Sequence, residues 1–108
     1  MNNIIDKIIK LTKENKIEWN YKYNDEDEQE EYNCYIQNIH IKAITCNYVD
    51  TLELELYDIN CSVTLEHINI EIKSDEYILY EAIKNNLNFY RANYKNLAYE
   101  TINNLSKN

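Results

Sequence analysis

The chain of 108 residues contains no glycine and no proline, where an average sequence of that length carries about seven and about five. The missing glycines exclude a P-loop, a G-x-G-x-x-G dinucleotide turn and a G-x-S-x-G nucleophile elbow. Each of these needs glycine for close backbone approach or a strained dihedral. Turns must be built from residues that carry a Cβ, and asparagine, which is abundant, tolerates left-handed backbone best. Also missing is any apolar run near the ~20 residues that cross a bilayer. The N-terminal segment is interrupted by charge every few residues and lacks a signal peptide's apolar stretch and cleavage site. A cytoplasmic location is therefore expected.

Cysteine and serine are scarce. Cys34, Cys46 and Cys61 are odd in number, far apart and each in a strand-like run. They are expected to be three half-buried thiols in a reducing compartment rather than a disulfide scaffold. With His40 and His67 they show no C-x-x-C or H-x3-H spacing, so no metal site is expected from them. Ser62, Ser74 and Ser106 are the only serines, and neither histidine has an evident nucleophile beside it. Glu53 and Glu55 would lie about 7 Å apart on one strand face, a spacing that could serve glycoside chemistry. Alternating glutamates more often mark a solvated sheet face. Asp25-x-Asp27-x-Gln29 resembles the start of an EF-hand loop, but it lacks the glycine at position six and has Ile36 where the bidentate glutamate belongs. No enzyme activity, metal or cofactor is expected.

What is present reads as one α+β domain over 1–108. Ile4, Ile5, Ile8, Ile9 and Leu11 or Thr12 predict an amphipathic helix over 3–15. From Ile17 the period becomes two, with Ile17, Trp19, Tyr21 and Tyr23 on one strand face. Residues 24–31, NDEDEQEE, read as a solvated loop. Strand character resumes at Tyr32, Cys34 and Ile36, slips phase at Gln37-Asn38 and continues through Ile39, Ile41 and Ala43. A two-residue hairpin is the favoured reading of the slip, over a bulge. A turn over 47–50 precedes Leu52, Leu54 and Leu56, which point inward while Glu53, Glu55 and Tyr57 point out. After a turn at 58–60, Cys61, Val63 and Leu65 return, with another slip near Glu66-His67 before Ile68, Ile70 and Ile72. Short connections imply an antiparallel meander of about five strands. Ser74 reads as a helix N-cap. Apolar spacing from Leu79 to Leu105 predicts one long helix, with a break near 85–88 as the alternative. Both helices are expected on one sheet face.

Charge is segregated. Residues 1–16 carry four lysines against Asp6 and Glu14, and residues 84–108 carry four cations against Glu100. Residues 17–83 hold sixteen acids against Lys22, Lys42 and Lys73, within a net charge of −8 for the chain. The uncovered sheet face should show Glu18, Tyr35, His40, Lys42, Glu53, Glu55, Tyr57, Thr64, Asn69 and Glu71. Acids mixed with tyrosines suit a protein-binding surface. Such a surface repels nucleic acid, and a basic protein is the better partner. The partner-binding residues expected are Asp25, Glu26, Asp27, Glu28, Glu30 and Glu31 in the loop, with Tyr35, Glu53, Glu55 and Tyr57 on the sheet. The rival expectation is a self-associating subunit that pairs through edge strands or through Tyr90, Tyr94 and Tyr99.

The wealth of Ile, Lys, Asn and Tyr reflects A/T-rich codons. In size, charge and composition, with no shared motif, the chain resembles small inhibitors carried by phages and mobile elements, such as anti-CRISPR proteins. That resemblance implies blockade of a basic groove on a host defence nuclease, by steric occlusion or nucleic-acid mimicry.

Overall fold

The computed structural model describes residues 3–46 and 49–107. The order is α1 (Asn3–Lys13), β1 (Asn20–Asn24), β2 (Gln29–Ile36), β3 (Ile39–Cys46), β4 (Val49–Asp58), β5 (Val63–Glu71), a 3₁₀ turn (Asp75–Tyr77) and α2 (Ile78–Ser106). The five strands form one antiparallel sheet in sequence order, so every strand pairs only with its chain neighbour. The fold is the α+β meander expected. The C-terminal helix is continuous over 29 residues, although Asn85, Asn86 and Asn88 are poor helix formers. Among the described residues no helix is long and apolar enough to cross a membrane.

Leu52, Leu54 and Leu56 point inward as the alternation requires, and they meet Tyr32, Cys34, Ile41, Ala43 and Ile70 on the same face. The helices cover that face with Ile5, Ile8, Ile9, Leu79 and Ile83. Ile36 pairs with Ile39 across a two-residue turn, which confirms the hairpin. The slip in β5 is a bulge opposite Leu56 and Tyr57.

With no glycine in the chain, left-handed backbone among the described residues falls on Asn15, Glu28, Gln37 and Ser62, all with φ between 52° and 54°. Only one of the four is asparagine. Asn15 ends α1 in a Schellman motif: the Lys16 N–H donates to the Leu11 carbonyl and the Asn15 N–H to the Thr12 carbonyl, both at 3.0 Å. Glu28 and Ser62 each close a four-residue hairpin loop, between paired Asn24 and Gln29 and between paired Asp58 and Val63. In both loops the residue before the turn accepts loop amides: Asn24 Oδ1 from Glu26 and Asp27, Asp58 Oδ1 from Cys61. A side chain in this region costs roughly 1 kcal/mol that glycine avoids. Gln37→Gly and Ser62→Gly are therefore each expected to raise stability by about 1 kcal/mol, read as a Tm increase of about 4–8 °C. An unchanged or lower Tm would show that the left-handed positions carry no strain.

Four sequence expectations need correction. Residues 24–31 are not one loop: only 25–28 turn, and Gln29, Glu30 and Glu31 pair with β1. The first strand begins at Asn20 rather than Ile17, because the backbone of 15–19 bonds to α2 side chains instead of a neighbouring strand. Cys61 lies exposed in the β4–β5 loop, and Val63 and Leu65 on the edge strand are half exposed, so this return does not feed the core. The thiols are thus not alike, since Cys34 is fully buried. Ser74 occupies the N-cap position but makes no side-chain cap; its hydroxyl donates to the Glu71 carbonyl at 2.7 Å. The turn expected over 47–50 lies partly outside the described residues.

Candidate functional site

Two features stand out: a row of rings on the uncovered sheet face, and a buried polar knot that ties α1 and the segment after it to α2. Cross-strand register sets the first. Tyr35 pairs with His40, His40 with Tyr57, and Tyr57 with Thr64, so one row crosses β2 to β5 on the face away from the helices. The Tyr35 and His40 rings stack with centroids 4.5 Å apart and planes 12° from parallel. The next row is Asn33, Lys42, Glu55 and His67, and the one beyond is Glu31, Ile44, Glu53 and Asn69.

His40 Nε2–H donates to Asn33 Oδ1 at 2.8 Å, which fixes the ring against its strand. Its pKa is held below the ordinary imidazole value, first by burial and then by the Lys42 cation, against opposing pulls from Glu55 and Glu31. Neutral imidazole is the form that stacks on Tyr35 at physiological pH. His40, Lys42, Glu55 and Tyr57 enclose a shallow cavity of about 200 Å³. His67 Nε2 stands 4.0 Å from Glu53 Oε2.

The residues expected to bind a partner separate into three places. Tyr35, Tyr57, Glu53, Glu55 and Glu31 do share the uncovered face. Asp25, Glu26, Asp27 and Glu28 sit exposed on the β1–β2 turn at the opposite end of β2, roughly 20 Å from Tyr35 by strand rise. Glu30 faces the helices. Its Oε2 accepts from the Tyr32 hydroxyl at 2.9 Å and from the Tyr80 hydroxyl at 3.4 Å, with the Lys84 ammonium 4.7 Å from the Tyr80 ring centroid. Burial, more than these bonds, pushes the Tyr32 hydroxyl well above its ordinary pKa. Glu30 thus bonds within the chain, on the face that the helices cover. Glu18, expected on the open face, instead accepts from the Tyr94 hydroxyl at 2.6 Å.

The knot is built on Asn86, which is 1 % exposed. Its Oδ1 accepts from the Trp19 backbone N–H at 3.0 Å. Its Nδ2 donates to the Ile17 carbonyl at 2.8 Å and to Asn15 Oδ1 at 3.1 Å. Trp19 Nε1–H donates to Thr12 Oγ1 at 3.0 Å, and the Thr12 hydroxyl donates on to the Ile8 carbonyl at 2.7 Å. One turn beyond, the Tyr90 hydroxyl donates to the Asn15 carbonyl at 2.7 Å. A cavity of about 330 Å³ adjoins the knot, with Thr12, Asn15, Ala82 and Asn86 in its wall. These bonds are saturated within the chain and position structure rather than chemistry. Asn86 had a sequence signal: it falls on the helix stripe Leu79, Ile83, Tyr90, where an apolar residue would be ordinary. Asn33, which orients His40, had none.

Among the described residues no group of three His, Cys, Asp or Glu side chains could hold a metal ion. Burial pushes the Cys34 thiol up to about 12, so at neutral pH it is neither thiolate nor nucleophile. No family model, curated protein or solved structure matches the chain.

Proposed function

We propose that the protein is a binding module that meets a basic protein surface through its uncovered sheet face and inhibits what it covers. The observation that carries this reading is the row Tyr35–His40–Tyr57, held in register on a face no helix covers. Tyr35 is 57 % exposed although it is a large ring on a well-paired strand. Tyrosine on a rigid sheet offers contact area at small entropic cost, and the tyrosine hydroxyls, Asn33 and Lys42 supply directional bonds around it. Glu31, Glu53, Glu55 and Glu71 outnumber Lys22 and Lys42 on this face, which favours a basic partner. The β1–β2 turn, roughly 20 Å away by strand rise, extends the acidic field beyond the tyrosine row and steers the encounter. An anti-defence inhibitor of a nucleic-acid-handling protein is the specific form of this reading. No catalytic step is assigned to the chain.

Capture from a host extract, at low and at moderate salt, tests it. Tyr35→Ala/Tyr57→Ala is expected to lose the captured protein at both salt levels. Asp25→Lys/Asp27→Lys is expected to weaken capture mainly at low salt, where long-range attraction is least screened. If the tyrosine variant, folded by circular dichroism, captures what the parent captures, the sheet face is not the binding surface.

A further inference from the structure

The edge strand β1 pairs only with β2, and the outward N–H and C=O groups of Asn20–Asn24 bond to nothing else among the described residues. An edge left open in this way is a template for a further strand. Helix α2 runs past it in the opposite direction. Tyr80 meets Tyr32, the cross-strand partner of Tyr21, and further along the helix Tyr94 bonds Glu18, which precedes the strand. Two cavities of about 240 and 300 Å³ lie between strand and helix, and they share Tyr21, Leu87 and Arg91, so they are parts of one groove.

The helix wall of this groove is basic, although the chain carries a net charge of −8. With about 3.6 residues per turn, Lys84, Arg91 and Lys95 fall within about 40° of one another and make a column along that flank. Among the described residues none of the three forms an ion pair; Lys84 and Lys95 lie over the Tyr80 and Tyr99 rings, at 4.7 and 5.6 Å from the centroids. The two carboxylates at the groove, Glu18 and Glu30, already accept tyrosine hydroxyls.

We propose that the groove takes an extended acidic peptide segment of a partner protein, which adds to the free edge of β1 as a sixth strand and sets its carboxylates against Lys84 and Arg91. Carboxylates on alternate residues of a strand share a face and stand about 7 Å apart. Lys84 and Arg91 are about 10 Å apart along the helix, and their long side chains close the difference. A nucleic acid would suit the cations and the tyrosine rings, but it brings no backbone to pair with β1, and its unbroken run of phosphates would meet the acidic turn 25–28 at the end of that strand. A peptide can be acidic at one end only. The turn fixes which end: the carboxylates lie beside Asn20 and Tyr21, and the residues beside Asn24 are neutral or basic. In antiparallel pairing, the slightly stronger kind, the acidic end is C-terminal. The other edge of the sheet, β5, carries Glu66, Glu71 and a bulge, each of which discourages an acidic strand. The groove is independent of the outer sheet face.

Fluorescence anisotropy of an N-terminally labelled peptide, TVTVEVE, titrated with the full chain at low salt tests the proposal. A Kd of roughly 10–100 μM is expected. Lys84 and Arg91 are exposed, so Lys84→Gln/Arg91→Glu should fold as the parent does by circular dichroism and bind at least about tenfold more weakly. The peptide TVPPEVE keeps both glutamates but lacks backbone donors, and it is expected to lose binding to a similar degree. Bound TVTVEVE should also slow amide hydrogen exchange within Asn20–Asn24. No binding of TVTVEVE up to about 1 mM overturns the proposal. So does a folded Lys84→Gln/Arg91→Glu variant that binds like the parent, or a diproline peptide that binds as well as TVTVEVE. Tighter binding of an oligothymidylate than of the peptide, lost in the same variant, assigns the groove to nucleic acid instead.

Discussion

Replacing Asn86 with leucine is expected to destabilise the protein by about 4 kcal/mol, a large share of the ~5–15 kcal/mol that holds a domain of this size together. Leucine has the same branched shape and is somewhat larger, so no cavity opens, and the loss is chiefly one of hydrogen bonds. It strands the Trp19 N–H and the Ile17 carbonyl, both facing a buried side chain, and each unpaired group costs about 1–3 kcal/mol. The bond to Asn15 Oδ1 goes as well. Asn86→Asp separates the contributions: a carboxylate still accepts from Trp19 but cannot donate to Ile17, and it brings a charge into a buried site. It is expected to be no better than leucine at neutral pH. Urea titration followed by far-UV circular dichroism reads both variants. A loss below about 1 kcal/mol for Asn86→Leu would mean that water replaces the lost partners and that the knot is not closed.

The second large effect is expected at Trp19, which is 1 % exposed. Trp19→Ala should cost about 3–5 kcal/mol by leaving a cavity where α1, α2 and the start of the sheet meet. Trp19→Phe should cost only about 1–2 kcal/mol, because the ring is largely replaced and no buried donor is orphaned. The Thr12 hydroxyl still donates to the Ile8 carbonyl when the indole N–H is gone. A double-mutant cycle with Thr12→Val isolates the indole bond, with an expected coupling of about 1 kcal/mol. Equal losses for Trp19→Ala and Trp19→Phe would show that the hydrogen bond, and not the packed ring, supplies Trp19's contribution.

Much of this architecture was legible because period-two alternation is unambiguous where one face is buried. Leu52, Leu54 and Leu56 alternate with Glu53, Glu55 and Tyr57, and the face assignment followed directly. The single slip at Gln37-Asn38 likewise admitted only a turn or a bulge. Alternation misled where tertiary partners replaced strand partners. Ile17 and Trp19 carry the pattern of β1 and are buried, yet their backbone groups are taken by Asn86 before a neighbouring strand can pair with them. Composition misled in 24–31, where a run of acids looked unable to pack. In the sheet, Glu30 finds the Tyr32 and Tyr80 hydroxyls, partners that lie two and fifty residues away. The candidate site was half legible for the same reason. Tyr35, Glu53, Glu55 and Tyr57 follow from face parity, whereas charge alone did not show that Asp25, Glu26, Asp27 and Glu28 lie at the other end of β2.

The knot also bears on how the chain comes to be ordered. Each ladder of the meander closes a loop of a few residues, at small entropic cost. The bonds from Asn86 to Trp19, from Tyr90 to Asn15 and from Tyr94 to Glu18 join positions 67, 75 and 76 residues apart. In an unfolded chain these would be the most expensive contacts to make, and few of them would form first. Once the hairpins are stacked, the sheet itself carries the two ends to within reach of one another. The polar clasp is then cheap to fasten, and together with the core that α1 and α2 share with the sheet it joins a row of local hairpins to the two helices.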